Sequence, residues 1–224
     1  MTKIRDNLQI IGANIEQYLA KYKYPKASVQ LLAVSKRHPS DKIKEAYEAG
    51  QRAFGENYVQ ELLDKKSQLH DLNIEWHFIG PLQSNKTKKI ADTADWVHAV
   101  DRLKIAQRLS EQRSETLAPL SICLQINISA EGSKSGIKPN ELIDLALQIV
   151  ELPNLRLRGL MAIPAPEDDF EKQQKSLQQT FKFKGIATEL DTLSMGMSND
   201  MEAAIAEGAT IVRIGTAIFG QRET

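Results

Sequence analysis

Cysteine is almost absent: Cys123 stands alone in 224 residues, so no internal disulfide can staple this fold. Its place in the apolar stretch SICLQINIS reads as a small core residue rather than a nucleophile. A surplus of charge of either sign is missing too. Lys+Arg and Asp+Glu stand at 29 each, so the overall field attracts neither nucleic acid nor an anionic membrane surface. No stretch of about 18 apolar residues occurs, which excludes a membrane-spanning helix. The start, MTKIRDNLQIIGANIEQYLAKY, is too charged and too interrupted for a secretory leader, and the cytoplasm is the expected location. No Pro/Gly/Ser-rich linker, charge block or low-complexity tract divides the chain, so residues 1–224 are expected to form one domain. A GxGxxG dinucleotide turn is lacking as well. Gly215 to Gly220 has the glycine spacing of a phosphate-binding loop but ends in Gln221-Arg222 instead of Lys-Ser/Thr. His38, His70, His77 and His98 show no metal-ligand spacing, and no Ser-His-Asp constellation can be argued.

What is present is alternation. Apolar residues at Ile4, Leu8, Ile11, Ile15 and Leu19 predict an amphipathic helix ahead of the first strand. The period then switches back and forth. LLAVS, Ala53-Phe54-Gly55, IEWHFIG, Trp96 to Val100, SICLQINIS, LRLRGLMAI, LDTLSMG and ATIVRIG read as eight strands. Helices are expected between them at DKIKEAYEAG, NYVQELLDKKSQL, SNKTKKIADTA, RLKIAQRLSEQR, PNELIDLALQIVEL, residues 168–184 and SNDMEAAIAEG, with Gly50 and Gly208 as left-handed helix stops. Strand and helix in strict alternation imply a parallel sheet with right-handed crossovers. Eight units in a chain a little below the usual ~250 residues favour a closed (β/α)₈ barrel, the TIM barrel, with one extra N-terminal helix.

In such a barrel the working face lies at the carboxyl ends of the strands. Lys36 falls there, at the end of Leu31-Leu32-Ala33-Val34-Ser35. An amine attacks an aldehyde only when neutral, and burial or a neighbouring cation favours the neutral form, so this position suits Schiff-base chemistry. A solvated strand-end lysine is the plain alternative. The loops after strands seven and eight, where such barrels often hold phosphate, are Met195-Gly196-Met197-Ser198-Asn199-Asp200 and Gly215-Thr216. Ser198 is expected to cap the following helix, and glycine at 215 lets backbone N–H groups approach an anion. Arg213 alternates with the apolar Val212 and Ile214 and should face inward, where it needs an acceptor: a carboxylate of a neighbouring strand or a ring nitrogen of a bound cofactor. Lysine, arginine and phosphate cup together match pyridoxal 5'-phosphate. The basic run Asn85 to Lys89 reads most simply as a solvated helix face.

The blocks LLAVSK, FGENYVQE, WHFIGPLQSNK, INIS, SKSGI, LRGLMAIP, LSMGMSNDMEAAI and VRIGTAIFG resemble, in order and over nearly the whole chain, those of the pyridoxal phosphate homeostasis protein family. That family is related to the barrel domain of fold-type III pyridoxal phosphate enzymes such as alanine racemase. The resemblance implies that Lys36 carries the cofactor as an aldimine, that Arg213 faces the pyridine nitrogen, and that Ser198, Gly215 and Thr216 bind phosphate. Asn57 and Met195 would be further pocket residues. The resemblance departs after the lysine, where Arg37-His38 occupies a position that often holds a second lysine, which leaves the role of that position open.

By this resemblance the protein holds and buffers pyridoxal phosphate, takes part in its homeostasis and supplies it to apoenzymes, and is not an enzyme. The alternative is a weak racemase or lyase acting on a small amino acid. In related racemases the second base comes from an additional C-terminal domain, and the chain is expected to leave that cofactor face open because it stops at Thr224. Arginine opposite the pyridine nitrogen also makes the ring a weaker electron sink than aspartate would. Tyr58 and His77 are the nearest candidates for a second base. Tyr58 is expected to pack in the helix starting there, and His77 to make a fixed internal hydrogen bond. A monomer is expected, since the site needs nothing from a second chain.

Overall fold

The structure is a computed structural model that describes residues 3–128, 136–164, 167, 169–184 and 190–221. Within the blocks quoted above, residues 129 and 133–135 therefore lie outside the described residues, as do 168 and 185–189 around the seventh helix.

Helix α1 (Lys3–Lys21) precedes the barrel. The strands are β1 (Gln30–Val34), β2 (Ala53–Glu56), β3 (Glu75–Phe78), β4 (Trp96–Val100), β5 (Leu120–Ile126), β6 (Leu155–Ala162), β7 (Thr192–Ser194) and β8 (Ile211–Ile214). Between and after them lie α2 (Ser40–Glu48), α3 (Val59–Gln68), α4 (Thr87–Thr93), α5 (Leu103–Gln112), α6 (Leu142–Val150), α7 (Phe170–Lys184), α8 (Met201–Ala206) and α9 (Thr216–Phe219). The eight strands form a closed barrel in chain order, every pair parallel, and β8 closes on β1 with Leu32 opposite Arg213. The expected (β/α)₈ barrel and its additional N-terminal helix are thus observed. Short 3₁₀ turns lead into α4 and α6, where the sequence period suggested unbroken helices.

Local chemistry explains the punctuation. Pro39 precedes α2 in extended conformation, as the ring demands. Gly50 and Gly208 follow their helices at φ +105 and +82, a region that costs a side-chain-bearing residue about 1–2 kcal/mol. Ile4, Ile11, Ile15 and Leu19 of α1 are buried and place that helix against the sleeve of the barrel.

Two layers share the burial. Outward-facing strand residues such as Phe54, Trp76, Phe78, Val97, Ile122, Leu160 and Val212 join Ile43, Leu62, Ile90, Ile105 and Leu109 of the helices in one apolar sleeve. Each such side chain fully removed from water contributes about 1.5–3 kcal/mol. Inside the barrel the apolar content is sparse. Leu32, Ala53 and Ile211 form one small cluster, and Trp96, Ala99, Cys123 and Met161 another. Buried His77, His98, Ser194 and Arg213 take much of the remaining interior. Because the sleeve supplies the cohesion, the interior can hold polar groups.

Candidate functional site

Barrel closure decides which loops meet. Since β7, β8, β1 and β2 are neighbours in that order, the residues following those strands gather on one sector of the carboxyl-terminal mouth: Lys36 after β1, Asn57 after β2, Met195 to Ser198 after β7, and Gly215-Thr216 after β8. Lys36 is half-buried in a turn closed by the His38 N–H donating to the Ser35 carbonyl at 3.0 Å. Arg37, next in the chain, adopts φ +60.

A buried ionic cluster sets this turn from beneath. Ser35 Oγ donates to Glu56 Oε1 at 2.6 Å, and Lys65 Nζ reaches Glu56 Oε1 at 2.7 Å, the Ser35 carbonyl at 2.9 Å and Glu61 Oε2 at 3.0 Å. Glu61 Oε2 in turn accepts the Arg37 backbone N–H at 2.7 Å. All three ammonium hydrogens of Lys65 are thereby used, and they tie the end of β1 to the end of β2. Desolvation pushes Glu56 up to about 7 against the pull of Lys65. Desolvation also acts on Glu61, but the Arg37 N–H and Lys65 outweigh it and hold that carboxyl below the ordinary range. The signal for this cluster in the sequence is a carboxylate in the apolar strand AFGE beside a Glu61/Lys65 pair at helical spacing.

Asn57 carries a clear vacancy in its bonding: its amide oxygen is buried with no hydrogen-bond partner. A group of that kind costs about 1–3 kcal/mol, so the position suits a ligand that donates to it. The mouth is crowded around it, since a Cβ at Gly80 would stand 2.1 Å from the Asn57 carbonyl oxygen. A cavity of about 510 Å³ opens beside Asn57, lined also by Tyr58, Gln83, Lys86 and Lys89. Part of the basic run thus faces a concavity, while Lys88 pairs with Asp92 on the surface at 3.1 Å.

Gly215 is the residue before α9, and a Cβ there would meet the Val34 carbonyl oxygen at 3.1 Å. This brings the cup after β8 against the strand that leads to Lys36. Thr216 is exposed at the first turn of α9, where the leading N–H groups have no partner within the helix. Ser198 departs from expectation. It lies exposed in a turn, and α8 begins only at Met201 with Asp200 in the cap position. The Asp200 carboxylate accepts the Met197 N–H at 2.6 Å and closes that turn first, so Ser198 is not the helix cap. Met195 is fully buried in the apolar sleeve, so it offers the mouth backbone rather than a side chain.

Arg213 is buried, as its alternation predicts, yet its hydrogen-bond acceptors are not carboxylates. Nη1 donates to the Ser194 carbonyl at 2.5 Å and to Ser194 Oγ at 2.9 Å, and Nη2 donates to the Ala162 carbonyl at 2.9 Å. Burial lowers its pKa to about 10, partly opposed by Asp200, and it remains a cation at neutral pH. Of the candidate second bases, His77 is wholly buried and its Nδ1 bonds His98 at 2.9 Å, the fixed internal bond expected. Tyr58 does not pack in a helix. It precedes α3, is exposed, and its hydroxyl accepts from Arg37 at 3.3 Å. Cys123 is buried, and burial pushes its thiol up to about 12. No group of His, Cys, Asp and Glu suited to a metal ion occurs among the described residues. No helix among them is long and apolar enough to cross a membrane.

This barrel and mouth have close relatives. Residues 7–223 match the model of the alanine racemase N-terminal domain, which defines the class as a racemase-type barrel. The pyridoxal phosphate homeostasis proteins of Pseudomonas aeruginosa and Escherichia coli K12 are 54% and 52% identical to this chain. Both matches span all of it and 97% and 98% of those proteins. The structure of PipY of Synechococcus elongatus with PLP bound superposes with a TM-score of 0.81 at 40% identity, covering 92% of this chain and all of that one. The chain belongs to the pyridoxal phosphate homeostasis protein family.

Proposed function

We propose that this protein binds pyridoxal 5'-phosphate through Lys36 and serves its homeostasis in the cytoplasm, buffering the reactive aldehyde and passing it to apoenzymes without catalysing a reaction of its own. The observation that carries the reading is the convergence of Lys36, the unpartnered Asn57 amide oxygen, the Arg213 cation and the Gly215-Thr216 turn on one sector of one barrel mouth. The family relation supports it, as does the bound PLP of the PipY relative.

The residues fit the parts of that cofactor. Its aldehyde supplies an electrophile for a neutral amine, and Lys36 is the half-buried amine at the mouth. Gly215, Thr216 and Ser198 offer small side chains, hydroxyls and backbone N–H groups to a phosphate, with Met195 contributing backbone to the wall. Asn57 offers an acceptor. Arg213 is a donor only, so a pyridine nitrogen facing it stays an acceptor and is a poor sink for carbanion electrons. That property favours holding over catalysis. The site as read asks for no group from a second copy, and the protein is read as a monomer working as one domain.

The test is absorption of the purified protein titrated with pyridoxal phosphate, followed by borohydride fixation and peptide mapping. A visible band with label on Lys36, lost in Lys36→Ala, supports the reading. Absence of the band, or label elsewhere, overturns it. Exchange of the α-proton of any amino acid by the loaded protein would restore the racemase or lyase reading, and apoenzyme reactivation no faster than with cofactor alone would remove the supply role.

A further inference from the structure

The barrel interior holds a line of polar side chains that the reading above does not use. Ser194 Oγ, which accepts from Arg213, lies 2.8 Å from His98 Nδ1. His98 Nε2 lies 2.9 Å from His77 Nδ1. His77 Nε2 is buried and stands 3.3 Å from Glu75 Oε2 without closing a hydrogen bond. β4 and β7 are not neighbours in the barrel, so the Ser194–His98 contact must cross the interior. Glu75 is anchored at the far end by Trp96 Nε1 and Gln30 Nε2, each donating at 2.8 Å.

The two ends have fixed characters. A guanidinium can only donate, and an ionised carboxylate can only accept. Glu75 is ionised, held down to about 2, against desolvation, by the His77 ring beside it and by the hydrogen bonds from Gln30 and Trp96. With both rings neutral, one arrangement of hydrogens between those ends satisfies every link. Ser194 accepts from Arg213 and gives its hydrogen to His98 Nδ1, His98 gives its Nε2 hydrogen to His77 Nδ1, and His77 turns its own Nε2 hydrogen toward Glu75. Both rings then carry hydrogen on Nε2. We propose that Ser194, His98, His77 and Glu75 are positioning residues for Arg213, a single-file chain of one polarity that keeps a Ser194 lone pair aimed at the guanidinium and so fixes the cation beneath the cofactor ring. The link to the ring rests on the cofactor reading above; the chain itself does not.

The surroundings agree. His98 is fully buried, and desolvation, with the nearby His77 and Arg213, holds it well below its ordinary value, so it is neutral. The His77 ring stacks on Trp96 at 5.5 Å between centroids, and the Arg158 guanidinium caps the Trp96 ring at 4.8 Å. That arginine is matched by Asp191 at 2.8 Å. Cys123, the titratable neighbour from β5, is an uncharged thiol. Among the described residues, no uncompensated charge beside the rings competes with the polarity set at the ends.

The test reads histidine tautomers by ¹⁵N–¹³C correlation NMR on the protein without cofactor, near neutral pH. Neutral Nε2–H forms are expected for both His77 and His98. Hydrogen on Nδ1 of either ring, or a second proton on either, would overturn the chain. With cofactor, Ser194→Ala is expected to weaken binding about tenfold, the loss of one hydrogen bond to a charged donor, while Ser194→Thr restores it to within about twofold. Unchanged affinity in Ser194→Ala would overturn the positioning role even if the tautomers stand. Absence of any lysine-linked band in the wild type would strike the cofactor reading alone, because the tautomers are read without cofactor.

Discussion

Replacing Glu56 with glutamine should flatten the dependence of stability on pH. Glu56 is fully buried, and desolvation pushes its pKa from 4.5 to about 7 despite Lys65. A carboxyl whose folded value lies above its unfolded value binds more protons when folded. Its stabilising effect is therefore complete below about pH 4.5 and is lost as pH rises through about 7. At 1.36 kcal/mol per pH unit, a shift of about 2.5 units amounts to about 3.4 kcal/mol over the whole window, of which about 2 kcal/mol falls between about pH 8.5 and pH 5.5. The assay is urea unfolding of wild type and Glu56→Gln, without cofactor, at those two values. His98 works in the opposite direction, since a histidine held neutral loses stability as pH falls below its ordinary value. Both proteins keep it, so it cancels in the comparison. Glu75 and Asp191, both lowered, cancel likewise, and Glu61, lowered in part through Glu56, acts mainly below about pH 5, outside the two values compared. The wild type should gain about 2 kcal/mol more than the variant on acidification. Equal gains would mean that Glu56 is ionised in the folded protein throughout, and the account of the Lys65 cluster would be wrong.

Gly159→Ala should destabilise by more than about 3 kcal/mol, because a Cβ there would lie 1.8 Å from the Thr192 carbonyl oxygen and force β6 from β7; a thermal midpoint near that of the wild type would contradict the strand spacing. Asn57→Ala should hold or raise the stability of the protein without cofactor, since the buried amide oxygen has no bond to lose, and should weaken cofactor binding about tenfold; calorimetry and absorption titration read the two effects. Cys123, buried with its thiol at about 12, should resist a thiol reagent at mildly alkaline pH and react only on unfolding, and rapid labelling of the native protein would contradict its burial.

Legibility in the sequence followed the range of the interaction. Strand and helix periods are local, so the eight units could be counted, and the barrel rule then placed Lys36, Gly215 and Thr216 at one mouth without any side-chain detail, while Asn57 came only from the family resemblance. Boundaries were less legible where two local options competed. Ser198 and Asp200 are both capping residues within three positions, and the one whose carboxylate closes the Met197 turn is the one that precedes the helix. Arg213 was legible as inward-facing from its alternation, but its acceptors were not, because a carbonyl at the end of β6 leaves no mark on the sequence.

The interior chain was illegible for the same reason carried further. Ser194 and His98 are 96 residues apart and lie on strands that do not pair, so neither strand period nor ladder register brings them together; only closure of the barrel does. A histidine in an apolar strand then looks like an isolated core residue until the opposite wall is known. The apolar sleeve makes such a chain affordable. With Phe54, Trp76, Phe78 and their neighbours buried outside the sheet, the inside of the barrel is released from carrying cohesion, and evolution can fill it with groups whose hydrogens must all point one way. Buried polar chains of that kind tolerate few partial solutions, because one unsatisfied buried group costs about 1–3 kcal/mol, more than a single link contributes. The prediction that follows is directional: single substitutions of His77 or His98 to leucine should be more destructive than removing both rings together.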